Sequence, residues 1–362
     1  MKVIWCRGTE KITYNRPSTF FALGLRGTGK SSLLEHIGEG YLESGHAIFD
    51  LFASRDAESL AWLRSSHAKD KKVLLLKGEN VDVKCGFTVK NAEAVTLDDF
   101  EKHDIIISSS PLYLSIDQEF TSAGRLTDLL YRRLSYKRLI YMLTREASNL
   151  FYSRLKLCDN QLDAKSQMIY MLREMRHCGI ALGLDSLRFT SVDIDIRSLA
   201  DLTLLKSQGV MGLSHDLQWL YSFFNPVMVR SMPVKNFFVV SKSGALGIGE
   251  FPFPSWHKRE KENILHELDI HIEYGEPLKE GENKGTFRTV GDSEHADIVK
   301  LYSEGYGYES IAQQLNRSSR TPLVHIRAHN DTVHRLGYCP ICKRVGSIYQ
   351  DKRAEKSVIK EA

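Results

Sequence analysis

The sequence predicts an α/β protein whose mostly parallel sheet is covered by helices on both faces, followed by a small helical domain. Short apolar runs of strand length recur along the first 240 residues, and amphipathic helical stretches separate most of them. The runs are apolar at nearly every position, which is typical of strands buried on both faces. In such sheets ligands bind beyond the carboxyl ends of the strands, so a functional site is expected at that edge.

The bulk composition is that of an ordinary globular protein. A length of 362 residues predicts two domains, one of them large enough for a full core. The net charge of +4 is too small to predict a nucleic-acid partner by itself, although residues 120–178 carry 11 Lys and Arg against 5 Asp and Glu. That local excess suits a polyanion or, equally, a solvated helix surface.

The cysteine pattern indicates the redox state of the cellular compartment in which the protein is expected. Of six cysteines, four are scattered and two form a Cys-x-x-Cys pair, which indicates a reducing compartment and a metal clip instead of a disulfide framework. The sequence shows no signal peptide and no apolar run long enough to span a bilayer. We therefore expect a cytoplasmic protein that reaches a membrane or capsid complex only through partners.

Residues 24–31 read Gly-Leu-Arg-Gly-Thr-Gly-Lys-Ser, which fits the phosphate-binding loop called Walker A. An apolar run, Thr19–Leu23, precedes the loop and a helical pattern follows it, which is the context that the motif requires. Backbone N–H groups and the helix N-terminus would hold the phosphates, Lys30 would reach the β- and γ-phosphates, and Ser31 would ligate Mg²⁺. The predicted positions for binding ATP are Gly24, Gly27, Thr28, Gly29, Lys30, Ser31 and Ser32.

The remaining elements of the first domain follow from the same patterns. The expected strands are Lys2–Trp5 at an edge, Thr19–Leu23, His46–Phe52, Val73–Leu76, Asp104–Ile107, Arg138–Leu143, Gly179–Leu182 and Phe237–Val240. One expected helix carries Leu33, Leu34, Ile37 and Tyr41. A second carries Leu60, Trp62 and Leu63 and has Asp56 as its cap. Two more span Ala123–Leu134 and Ala164–Met175.

The composition changes at residue 244, where Gly, Pro and charged residues become frequent. We expect a nucleotide-binding domain at 1–243, an extension and linker at 244–292, and a helical domain at 293–349. Residues 350–362 are charged and are predicted to be disordered.

A carboxylate that could drive hydrolysis follows a predicted strand. The run that ends at Leu143 continues as Thr144-Arg145-Glu146-Ala147, and this strand is expected beside the strand of the phosphate loop. Glu146 could polarise an attacking water there. The alternative is a glutamate in the first turn of a helix, where the helix dipole favours it.

These residues resemble the Walker B segment of ring ATPases, and the stretch that follows resembles the FtsK/HerA class of DNA-pumping ATPases. The second resemblance rests on Arg176-His177-Cys178-Gly179, a strand to Leu184, Asp185-Ser186 and Asp195–Asp201. It covers about residues 18–240. It implies a P-loop NTPase fold of the RecA-like (ASCE) kind, DNA-stimulated ATP hydrolysis, a homo-oligomeric ring such as a hexamer, and action on double-stranded DNA.

The same resemblance implies roles for single residues. Glu146 matches the catalytic glutamate, whereas Arg145 stands where a magnesium-directed aspartate is expected. Ser31 with water, Asp50 or Asp117 could supply the metal shell instead. Asp185 takes the place of the Gln or Asn that senses the γ-phosphate. An arginine finger acting in trans is assigned to Arg188 or Arg197, for either of which a structural ion pair is the alternative.

The segment after residue 293 carries a pattern of three helices. Ile298–Tyr302 and Glu309–Leu315 are amphipathic, residues 316–319 form a turn, and a third helix starts with Thr321 as cap and Pro322 at its first position. The pattern resembles the helix-turn-helix of resolvases and many regulators, although three-helix packing also occurs in protein-binding modules. It implies that the third helix enters the major groove of DNA and offers Arg320, His325 and Arg327.

Four residues in this domain have the composition of a zinc site. His325 and His329 lie four residues apart on one helix face, and the Cys339–Cys342 pair follows them. Together they would complete a tetrahedral Zn²⁺ site, with His334 as a spare ligand. The alternatives are an unmetallated cysteine pair and solvated histidines on a basic helix.

We therefore expect an ATP-hydrolysing motor acting on DNA, for translocation, packaging or transfer. The alternative is a nucleotide-gated DNA-binding regulator with slow or no turnover. A small-molecule kinase is a third class, but the sequence shows no distinct arginine-rich lid over an acceptor.

Overall fold

The computed structural model describes residues 1–52, 57–133, 135–152, 160–257, 264–275, 291–315, 317 and 320–345. The chain forms two compact units, Met1–Leu278 and Lys279–Ala362. None of the helices in the described ranges combines the length and the apolar character that crossing a bilayer requires.

The described strands, numbered in chain order, are β1 (Lys2–Arg7), β2 (Thr19–Leu23), β3 (Ala47–Phe52), β4 (Val73–Lys77), β5 (Val81–Lys84), β6 (Thr88–Asn91), β7 (Ile105–Ser108), β8 (Ile140–Thr144), β9 (Ile180–Ser186), β10 (Leu202–Leu205), β11 (Asn236–Ser241), β12 (Leu246–Glu250) and β13 (His271–Tyr274). The described α-helices are α1 (Lys30–Glu43), α2 (His67–Asp70), α3 (Leu97–Lys102), α4 (Ile116–Tyr131), α5 (Asn160–Arg173), α6 (Met175–Cys178), α7 (Ile194–Leu199), α8 (Pro226–Arg230), α9 (Ile264–Glu267), α10 (Asp292–Ser303), α11 (Tyr308–Gln314) and α12 (Arg320–Leu336). Short 3₁₀ helices span Glu58–Arg64, Ala92–Ala94, Ser110–Leu112, Phe189–Ser191, Gly209–Met211 and His215–Ser222.

The first unit is built on an 11-stranded sheet in the order β1-β12-β11-β10-β2-β9-β8-β3-β7-β4-β6. The strands from β10 to β6 in this order are parallel, and β11, β12 and β1 extend one edge in antiparallel fashion. β13 and β5 form a separate antiparallel pair. The predicted fold class, a mostly parallel sheet covered by helices, is confirmed.

The sequence patterns located the central strands and missed several short ones. All eight expected strands form, as β1, β2, β3, β4, β7, β8, β9 and β11. The strands β5, β6, β10, β12 and β13 were not predicted, because they lack the uninterrupted apolar run that marks the predicted strands of similar length. The stretch around Trp62 is a 3₁₀ helix, and its expected cap, Asp56, lies outside the described residues.

Helix α1 packs on the sheet through aromatic side chains. Tyr41 stacks on Tyr141 of β8, with ring centroids 4.9 Å apart, and Phe20 of β2 meets both rings edge-on. The buried Tyr141 hydroxyl donates to the Leu34 carbonyl at 3.2 Å. Aromatic pairs of this kind add to the free energy gained by burial. The contacts hold the helix that follows the glycine loop against the strand that leads to Glu146.

The first unit extends beyond the boundary expected at residue 243. β12 lies between β1 and β11 and pairs with both, and Gly244, with φ +87°, sits in the β11–β12 turn. The glycines that favour a linker therefore belong to a hairpin, and the nearby Phe251 and Trp256 are buried in the core. Residues 276–290 of the expected linker, and the expected tail 350–362, lie outside the described residues.

In its described ranges, the second unit contains three helices around a small core. Ile298, Val299 and Tyr302 of α10 pack with Ile311 of α11 and Ile326 of α12. α12 begins at Arg320, so the expected cap Thr321 and Pro322 lie inside its first turn. The three predicted helices are present, while most of the turn before α12 lies outside the described residues.

We predict that a chain ending at residue 243 fails to unfold cooperatively, whereas a chain ending at residue 278 does so. The shorter chain loses β12 and the buried Leu246 and Phe251. Such side chains contribute about 1.5–3 kcal/mol each, out of a total stability of about 5–15 kcal/mol. Urea unfolding followed by circular dichroism measures the difference. Equal transition midpoints for the two chains would contradict the extended first unit.

Candidate nucleotide-binding and hydrolytic site

The glycine loop connects β2 to α1 at the carboxyl edge of the parallel strands. Gly29 is the residue before α1 and has φ +83°, and a Cβ added there would lie 2.8 Å from a Val234 methyl group. Both the left-handed backbone and the close approach require glycine at this position. Across the loop, the Leu25 carbonyl accepts from Thr28 Oγ1 at 2.7 Å and from Lys30 Nζ at 3.0 Å. These hydrogen bonds close the loop into a turn that leads directly into the N-terminus of α1.

The residues predicted to bind ATP lie together at this turn. Lys30 and Ser31 occupy the first two positions of α1, and Ser32 is buried in the same turn. Gly27 also has a left-handed backbone, with φ +75°. The Gly24 N–H donates to the Ser186 carbonyl of β9 at 3.3 Å, which attaches the loop to the neighbouring strand.

Asp185 of β9 connects the loop to the segment that carries Glu146. Its Oδ2 accepts from Ser31 Oγ at 3.2 Å, and its Oδ1 accepts from the backbone N–H of Glu146. The Ala147 N–H donates to the Asp185 carbonyl at 2.7 Å. The side chain is only 3% exposed. Asp185 therefore lies against the hydroxyl that is expected to ligate magnesium.

Glu146 follows β8 in a strained turn. It is exposed, its φ is +46°, and Asn149 Nδ2 donates to its Oε2 at 3.3 Å. Residues 145–150 form turns, so the alternative of a first-turn helical glutamate does not apply. Left-handed backbone in a residue other than glycine costs about 1–3 kcal/mol and is frequent at functional sites. The expectation that β8 lies beside β2 was wrong, because β9 lies between the two strands.

Arg145 has a structural environment that the sequence did not predict. Its guanidinium is 1% exposed and pairs with Glu35 and Asp50 at 2.7 Å each, and with Glu58 at 3.5 Å. Trp62 Nε1 donates to the same Asp50 carboxylate at 3.1 Å. Asp50 is thereby engaged by a guanidinium and an indole N–H within this buried cluster.

His257 completes the buried cluster. Its Nδ1 lies 2.7 Å from Glu35 Oε2, and its Nε2 lies 3.7 Å from Glu58 Oε1. Burial raises the pKa of Glu35, but the charges of Arg145 and His257 outweigh burial and the pKa is lowered. Burial lowers the pKa of His257, but its hydrogen bond with Glu35 and the charge there outweigh burial and raise it. The pair therefore favours ionised Glu35 and protonated His257.

Asp117, the other carboxylate considered for the metal, lies far from the loop. It is exposed in the first turn of α4. That helix follows β7, which is four strands from β2 in the sheet. At roughly 4.8 Å per strand, this separation is about 19 Å. Asp185, which the resemblance places at the γ-phosphate, is the carboxylate that the fold brings to Ser31.

The two candidate arginine fingers differ in environment. Arg197 pairs with Asp216 at 3.1 Å and lies over the Phe189 ring at 4.6 Å, so it is engaged within its own chain. Arg188 lies two residues past β9 and is exposed, and no ion pair engages it within the described ranges. Of these two arginines, Arg188 is the one whose charge is exposed and outside the ion pairs of the described residues.

In the second unit, the structure assembles a different ligand set from the expected one. His329, Cys339 and Cys342 come together with His295, and one ligand atom from each lies within 4.8 Å of the others. His325 lies one turn earlier on α12, and its ring centroid is 6.0 Å from that of His295. The spare candidate His334 is exposed. His295 was not predictable from spacing because it precedes Cys339 by 44 residues.

The residues predicted to contact DNA lie on α12. Arg327 is exposed, His325 is half-buried, and Arg320 begins the helix. Arg317 and Glu294 form a bidentate ion pair at 2.6 Å that connects the segment before α12 to α10. This pair fixes the approach of the chain to the third helix.

The sheet order and the glycine loop define a P-loop NTPase fold of the RecA-like (ASCE) kind, with one strand between the loop strand and the strand before the glutamate. The chain is similar to the genome packaging NTPase B204 from Sulfolobus turreted icosahedral virus 2, at 16% identity over 66% of this chain and 98% of that one, with a TM-score of 0.41. The pCW3 conjugation coupling protein TcpA is 13% identical over 73% and 70% of the two chains, with a TM-score of 0.41. The cytoplasmic domain of the Type VII secretion ATPase EccC from Thermomonospora curvata is 15% identical over 66% of this chain and 24% of that one, with a TM-score of 0.38. No protein-family model and no curated protein matches the chain.

We predict that Arg145→Ala lowers the free energy of unfolding by about 3–5 kcal/mol, because it leaves buried carboxylates without their counter-charge. Arg132→Ala is the matched control. Arg132 pairs with Asp128 at 2.7 Å on an exposed helix surface, and its loss should cost under about 1 kcal/mol. Urea unfolding of the purified variants measures both changes. Equal losses for the two variants would show that the buried cluster does not stabilise the fold.

Proposed function

We propose that this protein is an ATP-hydrolysing motor that acts on double-stranded DNA. The observation that carries the proposal is the convergence of Ser31, Asp185 and Glu146. They lie at the carboxyl ends of β2, β9 and β8, three neighbouring parallel strands. A phosphate loop alone binds nucleotide, whereas turnover also requires a residue that orients the attacking water, and Glu146 is an exposed carboxylate held next to the loop through Asp185.

The loop would bind the nucleotide through its backbone. N–H groups at the N-terminus of α1 favour the phosphates, and Lys30 adds a positive charge beside them. The oxygen set at this edge, the Ser31 hydroxyl and the Asp185 carboxylate, fits Mg²⁺, which prefers hard oxygen ligands. A Mg²⁺ ion held by these two residues would supply positive charge to the phosphate oxygens. Asp185 orients the Ser31 hydroxyl by accepting its hydrogen bond.

Glu146 has the position expected of the residue that orients the attacking water. Its carboxylate is exposed, while its backbone N–H is held by Asp185. The hydrogen bond from Asn149 restricts the side chain further. A shift of the Asp185 carboxylate would therefore move the turn that carries Glu146. General-base action of this kind contributes about 10²–10⁴ to a rate.

We further propose a homo-oligomeric ring, such as a hexamer, in which Arg188 reaches the site of a neighbouring subunit. An exposed guanidinium two residues past β9 supports Arg188 for this role, while the ion pair of Arg197 with Asp216 argues against that residue. The cytoplasm remains the proposed compartment, and a membrane or capsid complex would be reached through partners.

The proposed DNA contact rests on the second unit. Three helices in the expected order, with Arg327 exposed on the third, support a helix-turn-helix. The excess of Lys and Arg in residues 120–178 is a weaker support, because it includes Arg133 and Arg145, which are buried in ion pairs. The alternative is a nucleotide-gated regulator with slow turnover. The joined Ser31, Asp185 and Glu146 favour the motor, because a regulator with slow or no turnover does not depend on a carboxylate placed to orient water.

We predict that purified protein hydrolyses ATP and that double-stranded DNA raises its turnover several-fold. Lys30→Ala should abolish nucleotide binding. Glu146→Gln should lower kcat by about 10²–10⁴ and leave ATP binding intact, because it removes only the water-orienting carboxylate. Phosphate release and nucleotide binding are measured with and without DNA. ATP binding with negligible turnover that ignores both DNA and Glu146 would favour the regulator.

We predict that Asp185→Asn raises the Mg²⁺ concentration needed for half-maximal binding of a fluorescent ATP analogue by about tenfold. This is about 1.4 kcal/mol, close to the lower end of the range of about 1.5–3 kcal/mol for a hydrogen bond to a charged group. Asp117→Asn is the control of the same chemistry and should leave the Mg²⁺ dependence unchanged. The reverse pattern would assign the metal to Asp117 and contradict the role of Asp185.

A further inference from the structure

We propose that the second unit binds one structural zinc ion through His295, His329, Cys339 and Cys342. One ligand atom from each residue lies within 4.8 Å of the other three. All four residues belong to the second unit. The proposal is independent of the proposed ATP-driven function, because zinc content is measured without nucleotide or DNA.

The distances between ligand atoms fit a tetrahedral site. With Zn–S of about 2.3 Å and Zn–N of about 2.0 Å, two ligand atoms lie roughly 3.3–3.8 Å apart. Cys339 Sγ lies 3.5 Å from His295 Nε2, and Cys342 Sγ lies 3.7 Å from His329 Nδ1. The two sulfur–nitrogen pairs thus already have the separation that a shared zinc ion imposes.

The surroundings of the four side chains also favour a metal. His295, His329 and Cys339 are 5%, 2% and 2% exposed. Nε2 of His329 is buried and has no hydrogen-bond partner in the described part of the chain. Burying polar groups without strong partners costs free energy, and thiols are weak hydrogen-bonding groups. Coordination would compensate that cost.

The backbone after α12 is shaped to bring the cysteines back to the helices. Gly337, with φ +78°, follows the last residue of α12, and its N–H donates to the Val333 carbonyl at 2.8 Å. The Cys339 N–H then donates to the Arg344 carbonyl at 2.8 Å, and the Lys343 N–H to the Cys339 carbonyl at 2.9 Å. This tight loop places both sulfurs on the side of α10 and α12.

The ligand chemistry selects zinc among common divalent metals. Two thiolates and two neutral imidazoles form the Cys₂His₂ set of structural zinc sites, and their two negative charges balance Zn²⁺. Magnesium and calcium require oxygen ligands, which these side chains do not offer. All four protein ligands are present, so the site is closed and structural.

Zinc at this position would connect α10, α12 and the cysteine loop. The second unit has a small core, with five fully packed residues in the described ranges. Small domains of this size commonly depend on a metal or another cross-link. His325, which lies outside the ligand group, stays available on α12 for contact with a nucleic acid.

The test is the zinc content of purified full-length protein, measured by inductively coupled plasma mass spectrometry after expression with added zinc. The wild type should contain about one zinc ion per chain. His295→Ala and Cys339→Ser should lose most of it, because each removes one of four ligands. His325→Ala is the matched control, a histidine on the same helix outside the group, and it should retain zinc.

A second measurement uses wild-type protein and therefore does not depend on whether the variants fold. Cobalt added to metal-free wild-type protein should produce the absorption of tetrahedral Co²⁺ with thiolate ligands, and zinc should displace it. Wild-type protein that contains no zinc and shows no such absorption overturns the proposal. Retention of zinc in His295→Ala together with its loss in His325→Ala overturns the ligand set.

Discussion

A guanidinium buried at the end of β8 is the constraint on which the site of the first unit depends. Arg145 can remain charged at 1% exposure because Glu35, Asp50 and Glu58 surround it. Glu35 belongs to α1, Asp50 to β3 and Glu58 to a 3₁₀ helix. The ion pairs therefore tie the helix after the phosphate loop to the strand before Glu146. Any rearrangement that separates these elements would leave a charge buried without a partner.

This arrangement accounts for the place of the carboxylate near Ser31. Position 145, directly after β8, is an arginine, and its side chain turns into the buried cluster. Asp50 is committed to the same cluster. Asp185, one strand closer to the loop, is then the carboxylate left in contact with Ser31. The same carboxylate holds the backbone of Glu146, so one side chain positions both halves of the proposed hydrolytic site.

The sequence predicted those parts of the structure that depend on local patterns. The phosphate loop at residues 24–31, the helix after it and the strands flanking the site follow from apolar runs and a spaced motif. The roles of Asp185 and His295 depend instead on which elements become neighbours. A signal for the buried cluster did exist, because Glu35 lies among the apolar residues of α1 and a buried acid needs a cation. Its partner Arg145 could not be read from spacing, since it is 110 residues away.

The charges of the buried cluster are distinct from the charges that lie at the phosphate edge. Arg145 and His257 face Glu35, Asp50 and Glu58. Burial raises the pKa of Asp50 and of Glu58 despite the Arg145 charge. The cations and carboxylates of this cluster pair with one another over 2.7–3.7 Å, so each charge is offset by a direct partner. Lys30, Asp185 and Glu146 lie outside these ion pairs, at the phosphate edge. The division of roles is then electrostatic as well as geometric, because the buried cluster stabilises the fold while separate charges at the phosphate edge serve the proposed chemistry.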